Sequence, residues 1–130
     1  MIKVSKRSQY GLRAMVLLAK NYKTKQVFST KVISEKEGVP FDFLEKIVSQ
    51  MERAKLVKGK KGAQGGYSLS RPPNKITAEH IVSVLEGEES TVDCSFCGKS
   101  RKCLTKNVWR KVDMAIEKTL KSITLADLIK

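Results

Sequence analysis

From residue 8 to residue 22, Gly11, Ala14, Met15, Leu18 and Tyr22 recur at three- and four-residue intervals, with Arg13 and Lys20 off that stripe. This spacing predicts an amphipathic helix. A polar break over 21–26 follows. Ser29 or Thr30 then caps a short helix running to Lys36, with Val32 and Ile33 inward and Gly38 at its end. Pro40 suits the first turn of a third helix, where its missing N–H costs nothing. In that helix Phe41, Leu44, Ile47, Val48, Met51 and Ala54 make one apolar stripe; Asp42, Glu45, Lys46, Ser49 and Arg53 make the opposite, polar one. A short strand candidate, Leu56-Val57-Lys58, and an alternating run, Tyr67-Ser68-Leu69-Ser70, flank the glycine-rich segment 60–66, and Pro72-Pro73 ends the second. They predict a β-hairpin. Thr77 caps a fourth helix over 78–86, with Ile81, Val84 and Leu85 inward, and Gly87 ends it.

Residues 88–103 show neither period. From 105 to 122 a long helix carries Val108, Trp109, Val112, Ile116 and Leu120 on one stripe, continued by Ile123; Thr124 and Asp127 form a capping-box start for a last short helix. Two short helices joined by a tight turn, followed by a basic hairpin, make a winged helix-turn-helix. The expected fold is mainly α: a winged helix-turn-helix domain over 1–87 with a small β-hairpin wing, a cysteine-containing loop over 88–104, and a long C-terminal dimerisation helix with a short last helix over 105–130.

Charge sharpens this picture. The 130 residues carry 26 Lys and Arg against 13 Asp and Glu, a net charge of +13. Residues 1–25, 53–75 and 99–111 hold 20 of the 26 bases and no acid. Clustered excess of this kind is the footprint of a polyanion partner, nucleic acid before anionic membrane. The longest apolar run, Ala14–Ala19, is far short of the ~20 residues of a membrane helix. With no secretory pattern at the start, a cytoplasmic protein without a membrane partner is expected.

All three cysteines lie in one stretch, Cys94, Cys97 and Cys103. Three thiolates on one loop can hold most of a metal site, and soft sulfur selects zinc, copper(I) or an iron–sulfur cluster. Lys99, Arg101 and Lys102 favour thiolate over thiol. A fourth ligand is open among His80, Glu88, Glu89, Asp93, Ser95 and a partner chain. A cofactor-free thiol loop or a Cys94–Cys97 redox pair are the other readings. One histidine, no paired acid and base, and no Gly-Lys-Ser/Thr loop opening a helix leave no catalytic set, so an enzyme is not expected.

Several runs together are specific: Ser8-Gln-Tyr-Gly-Leu-Arg-Ala14, Phe43-Leu-Glu-Lys-Ile47, Gly62-Ala-Gln-Gly-Gly-Tyr67, Arg71-Pro-Pro73, Val84-Leu-Glu-Gly87, Trp109 and Thr124-Leu-Ala-Asp-Leu128. In these the chain resembles, over essentially its full length, the IscR/NsrR/RirA/CymR (Rrf-type) family of winged-helix transcriptional regulators. The resemblance implies a homodimer joined through the long helix, binding to a palindromic operator in double-stranded DNA, and often an iron–sulfur cluster (2Fe-2S or 4Fe-4S) on the cysteine loop that senses iron, oxygen, nitric oxide or cluster status. It makes Cys94, Cys97 and Cys103 the metal ligands. One subgroup completes the site with a histidine where this chain has Lys106, another with an acidic residue at or near the position of Ser8. Members without a cluster also exist, so a cofactor-free, zinc or thiol-switch regulator stays open; an RNA-associated basic protein is the distant alternative.

Phosphate contacts are expected from Arg7, Ser8, Arg53, Lys55, Lys58 and Lys60, and base readout from Asp42, Glu45, Lys46 and Ser49. Lys61 and Gly62 at the wing tip suit a minor groove. This reading requires Glu45 and Lys46 to face outward and Lys60 and Lys61 to lie on the same side as the third helix.

Overall fold

The computed structural model describes residues 4–87 and 104–130. Helix α1 (Lys6–Lys20) starts at Ser5, whose hydroxyl accepts the Ser8 N–H, and packs across α4 (Ala78–Glu86) and α3 (Phe41–Arg53). Helix α2 (Thr30–Glu37) is capped by the Ser29 hydroxyl and stops at Gly38, which takes a left-handed φ of 65°. The α2–α3 turn is fixed from α1: the Arg13 guanidinium donates to the Glu37 carbonyl and lies 3.8 Å from its carboxylate. Met15, Ile33, Leu44, Ile47, Met51, Leu56, Leu69, Ile81, Leu85 and Leu125 meet in one buried core.

Strands β1 (Val57–Lys60) and β2 (Gly66–Leu69) pair antiparallel, Val57 opposite Leu69 and Gly59 opposite Tyr67. Phe28 adds a one-residue third strand beside Tyr67: its N–H donates to Tyr67 O at 3.0 Å, and Tyr67 N–H returns to Phe28 O at 2.7 Å. Between α3 and β1, the Leu56 N–H reaches Met51 O and the Lys55 N–H reaches Glu52 O, both at 2.9 Å, with Leu56 and Met51 buried together. This is a Schellman closure in which Lys55, at φ 63°, occupies the left-handed position usually given to glycine.

After a 3₁₀ turn (Pro73–Lys75), Thr77 caps α4 reciprocally: its hydroxyl accepts the His80 N–H and its own N–H donates to His80 Nδ1. His80 is thus a capping residue. Helix α5 (Lys106–Lys121) leads into α6 (Leu125–Leu128), which the Leu125 N–H ties back to Ile76 O at 2.9 Å.

Several expectations shift. α1 spans 6–20, so Tyr22 lies in the turn beyond it, half-buried. Phe41, expected inward, is exposed because it is the first residue of α3; Phe43 does the packing, edge-on to Tyr10 with ring centroids 5.5 Å apart. Ala54 is exposed because it is past the end of α3. None of the residues of α5 is buried against the rest of the described chain.

Candidate nucleic-acid interface

Every residue expected on the outer face of α3 is exposed: Asp42, Glu45, Lys46, Ser49 and Arg53. The cause is the helical period. Leu44, Ile47, Val48 and Met51 are held in the core, which turns the intervening positions to solvent. Arg7 of α1 joins this face. Together with Glu45, Lys46, Ser49 and Arg53 it lines an open cleft of about 490 Å³, to which Phe43 and Gln50 also contribute. The Tyr10 ring, wedged edge-on against Phe43, has the Lys6 ammonium 6.0 Å and the Arg13 guanidinium 5.9 Å from its centroid. The basic start of α1 is therefore registered against α3 by packing.

Ser8, expected to reach phosphate, does not. It is fully buried, and its hydroxyl donates to Glu86 Oε1 at 2.7 Å. Ser5 donates to the same oxygen through its backbone N–H at 3.0 Å and through its hydroxyl. These donors hold the Glu86 carboxyl below its ordinary pKa: the Ser5 hydroxyl first, opposed by partial burial, then Ser8, the Ser5 backbone and the Arg7 charge. Neighbours on a helix point about 100° apart, so Ser8 faces the core while Arg7 faces solvent.

The hairpin projects beside α3. Lys61 and Gly62 are exposed at its tip, where Gly62 takes a φ of 116° and the Gly65 N–H closes the turn on Gly62 O at 2.9 Å. Gly65 and Gly66 are glycines because backbone comes too close for anything larger: a Cβ on Gly65 would be 2.1 Å from Lys60 O, and one on Gly66 2.4 Å from the Phe28 carbonyl carbon. Gly59 and Tyr67 occupy the face toward α3, since a Cβ on Gly59 would meet the Glu52 carboxylate and the Tyr67 ring. Burial raises the Tyr67 pKa, and the carboxylates of Glu52 and Glu45 raise it further.

Lys58 and Lys60 alternate with these positions and leave the hairpin on its other face. The requirement that Lys60 and Lys61 share the side of α3 therefore fails for Lys60, which with Lys58 lines a separate cleft alongside Lys23 and Lys25, and leaves Lys61, exposed at the tip, as the wing lysine of the DNA reading. Lys55 is exposed at the α3–β1 corner. Sequence reasoning missed Phe43, Gln50 and Tyr67. Gln50 follows from the period of α3, but Tyr67 depends on the strand register.

Cys94, Cys97 and Cys103 lie outside the described residues. Among the described residues no group of three His, Cys, Asp or Glu is placed to hold a metal ion, and no helix is long and apolar enough to cross a membrane.

Comparison with known proteins bears on the whole chain. The model of the Rrf2 family, described as an iron-dependent transcriptional regulator, matches residues 4–130. The transcriptional regulator CymR of Bacillus subtilis is 35% identical over 127 residues, covering 98% of this chain and 89% of the relative. The protein rrf2 of Nitratidesulfovibrio vulgaris is 31% identical over 133 residues, 99% of this chain and 88% of its own length. Among solved structures, IscR of T. potens superposes with a TM-score of 0.80 at 39% identity, covering 98% of this chain and 85% of that one. The structure of B. subtilis CymR superposes with a TM-score of 0.81 at 35% identity, covering 99% and 97%. The expectation of a regulator rather than an enzyme agrees with these relatives. An outward polar recognition face, a wing closed by paired glycines and full-length likeness to known regulators lead to one assignment: this chain belongs to the Rrf2 family of winged-helix transcriptional regulators.

Proposed function

We propose that two copies of this chain bind a palindromic operator in double-stranded DNA, with α3 in the major groove and the wing tip in the adjacent minor groove. The observation that carries this is the open cleft that Arg7, Lys46 and Arg53 line together with Glu45, on the exposed outer face of α3. Arg7, Arg53 and Lys55 position the duplex by its phosphates. Lys46 donates to guanine O6 and N7, and Asp42 or Glu45 accepts from cytosine N4, with Ser49 adaptable. Glu45 also repels phosphate, so a site lacking a donor for it is penalised; this restrains a strongly basic protein from binding any sequence. Helix α5 supplies the dimer seam. Val108, Trp109 and Ile116 stand exposed on one stripe of a helix with no buried residue, which a twofold copy would cover.

In the same reading Cys94, Cys97 and Cys103 hold an iron–sulfur cluster, and residues 88–104 form the sensor segment of a cytoplasmic regulator. Three thiolates among basic residues fit such a group. A cluster supplies a redox-sensitive centre whose potential follows its type, charge and hydrogen bonds. Glu86 is the last residue of α4 before that segment, and it holds Ser5 and Ser8 beside Arg7. That tie connects the cysteine segment to the DNA face.

A second reading has its own support. The similar protein CymR is the global cysteine regulator of B. subtilis, and CymR of Staphylococcus aureus, 31% identical, has been solved in an oxidised form. A thiol switch without a cluster would use the same loop. Anaerobic isolation with iron and sulfide analysis separates the two, followed by duplex selection from a random-sequence library. Iron and sulfide that disappear in Cys97→Ala support the cluster. Metal-free protein whose DNA binding responds to oxidant supports the thiol switch. Wild-type protein that enriches no duplex refutes the DNA reading itself.

A further inference from the structure

A second basic surface lies behind the wing. Between the turn that follows α1 and the outer face of the hairpin is an open cleft of about 460 Å³. Lys23 and Lys25 come from the turn, Lys58 and Lys60 from β1, and Tyr22, Gln26 and Ser68 complete the polar lining. The four lysines are exposed, no Asp or Glu lines the cleft, and none of the four is ion-paired with a described residue.

The arrangement is built, because both walls are fixed by backbone. On β1 the register commits Gly59 to the α3 side, which sends Lys58 and Lys60 outward together. In the turn, the Lys25 N–H donates to Tyr22 O at 3.1 Å, the Thr24 hydroxyl to Asn21 O at 2.9 Å and the Asn21 side-chain amide to Leu17 O at 2.9 Å. Lys25 itself is held at φ 57°, a region a lysine seldom enters. Four like charges gathered on rigid walls repel one another unless an anion sits among them.

We infer that this cleft is a second phosphate-backbone contact, which grips the duplex outside the wing, on the flank of each operator half-site. The inference rests on the DNA-binding reading above. Lysine ammoniums are point charges without the planar fork of arginine, so they suit a run of phosphodiester oxygens and carry no base readout. An open trough with no buried donor does not fit a small anion, which needs enclosure. With the wing tip in the minor groove, the hairpin face turned away from α3 looks along the duplex away from the operator centre. The protected site therefore extends beyond the bases that α3 and the wing read.

The test uses the full chain and a duplex selected from a random-sequence library, prepared with and without about one helical turn of outer flank on each side. Each lysine that neutralises a phosphate contributes about 0.9 to the slope of log affinity against log salt. For Lys23→Gln/Lys25→Asn the expected result is a slope lower by about 2 per protomer on the long duplex. Affinity for the trimmed duplex and the order of preferred sequences are expected to stay as in the wild type. Asparagine tolerates the left-handed conformation, which protects the turn. Lys75→Gln/Lys130→Gln removes the same charge elsewhere and is expected to leave the difference between long and trimmed duplexes intact. Equal losses on both duplexes, or no loss on either, overturn the inference while the DNA-binding reading stands. Wild-type protein that selects no duplex overturns both.

Discussion

Gly66→Ala probes the joint on which the wing is mounted. The added Cβ would lie 2.4 Å from the Phe28 carbonyl carbon, 2.6 Å from its oxygen and 2.7 Å from Ser29 N. Carbon atoms at rest are about 3.5–4.0 Å apart, so the two backbones must separate by roughly 1 Å. No side chain can yield instead, because the three nearest atoms are all backbone. The separation breaks the pair of Phe28–Tyr67 hydrogen bonds, now 3.0 and 2.7 Å, worth about 0.5–1.5 kcal/mol each. Against this, alanine lowers the entropy of the unfolded chain by about 0.4–1 kcal/mol. The collision wins, for a net loss of about 1–2 kcal/mol. The assay is urea unfolding, where the midpoint should fall at constant slope, together with amide exchange at Phe28 and Tyr67. Gly62→Ala is the contrast: nothing is near its Cβ, but its φ is 116°, so the strain stays at the tip and the bridge survives. Gly66→Ala as stable as wild type, with both amides still protected, would refute the close-approach argument.

Ile116→Lys should split the proposed dimer. Ile116 is 42% exposed, so covering that fraction is worth about 0.6–1.3 kcal/mol per protomer, and losing it twice is a ~10–70-fold weakening readable by sedimentation equilibrium; an unchanged association constant would move the seam elsewhere. Lys55→Gly should raise stability by about 1 kcal/mol through relief at φ 63°, while lowering the salt slope of DNA binding by about 0.9; no gain in urea midpoint would contradict the left-handed geometry. Glu45→Ala should keep affinity but lose discrimination among selected duplexes in a competition assay, and loss of binding to every duplex would refute its role as a filter. Glu86→Gln tests the carboxylate that ties α1 to α4. The folded-state pKa lies below the ordinary 4.5, so the stabilisation is present above that value and is lost as pH falls through the folded one. The wild type should be more stable than the variant at neutral pH, with the gap closing in acid; a gap independent of pH would discount the charge.

Legibility in the sequence follows the range of the forces involved. The bounds of α4, the Thr77 cap, the Gly38 stop and the Thr124–Asp127 box were all readable, and the α2 cap was narrowed to Ser29 or Thr30, because each is a contact within about four residues. The outward face of α3 was readable for the same reason, since its apolar period leaves only one way to bury Leu44, Ile47, Val48 and Met51. Lys55 at a positive φ was not, because the Schellman closure there is imposed by Leu56 entering the core. Nothing local requires Phe28 to bridge Tyr67.

The two misassigned groups of basic and polar residues show why the rest was hidden. Alternation puts Lys58 and Lys60 on one face of β1, but which face meets α3 is decided by the packing of Gly59 and Tyr67 against that helix, which the sequence does not show. Lys58 and Lys60 thus belong with Lys23 and Lys25 rather than with α3. Ser8 and Arg7 are both polar at the start of one helix, and composition treats them alike. What separates them is Glu86, 78 residues away from Ser8, whose carboxylate offers a buried hydroxyl an acceptor. A serine can be buried at little cost when its single proton is taken up, whereas a guanidinium with five donors cannot be satisfied there and stays in water. The polarity that marks an interface residue in the sequence becomes informative only once the partner that would bury it is known.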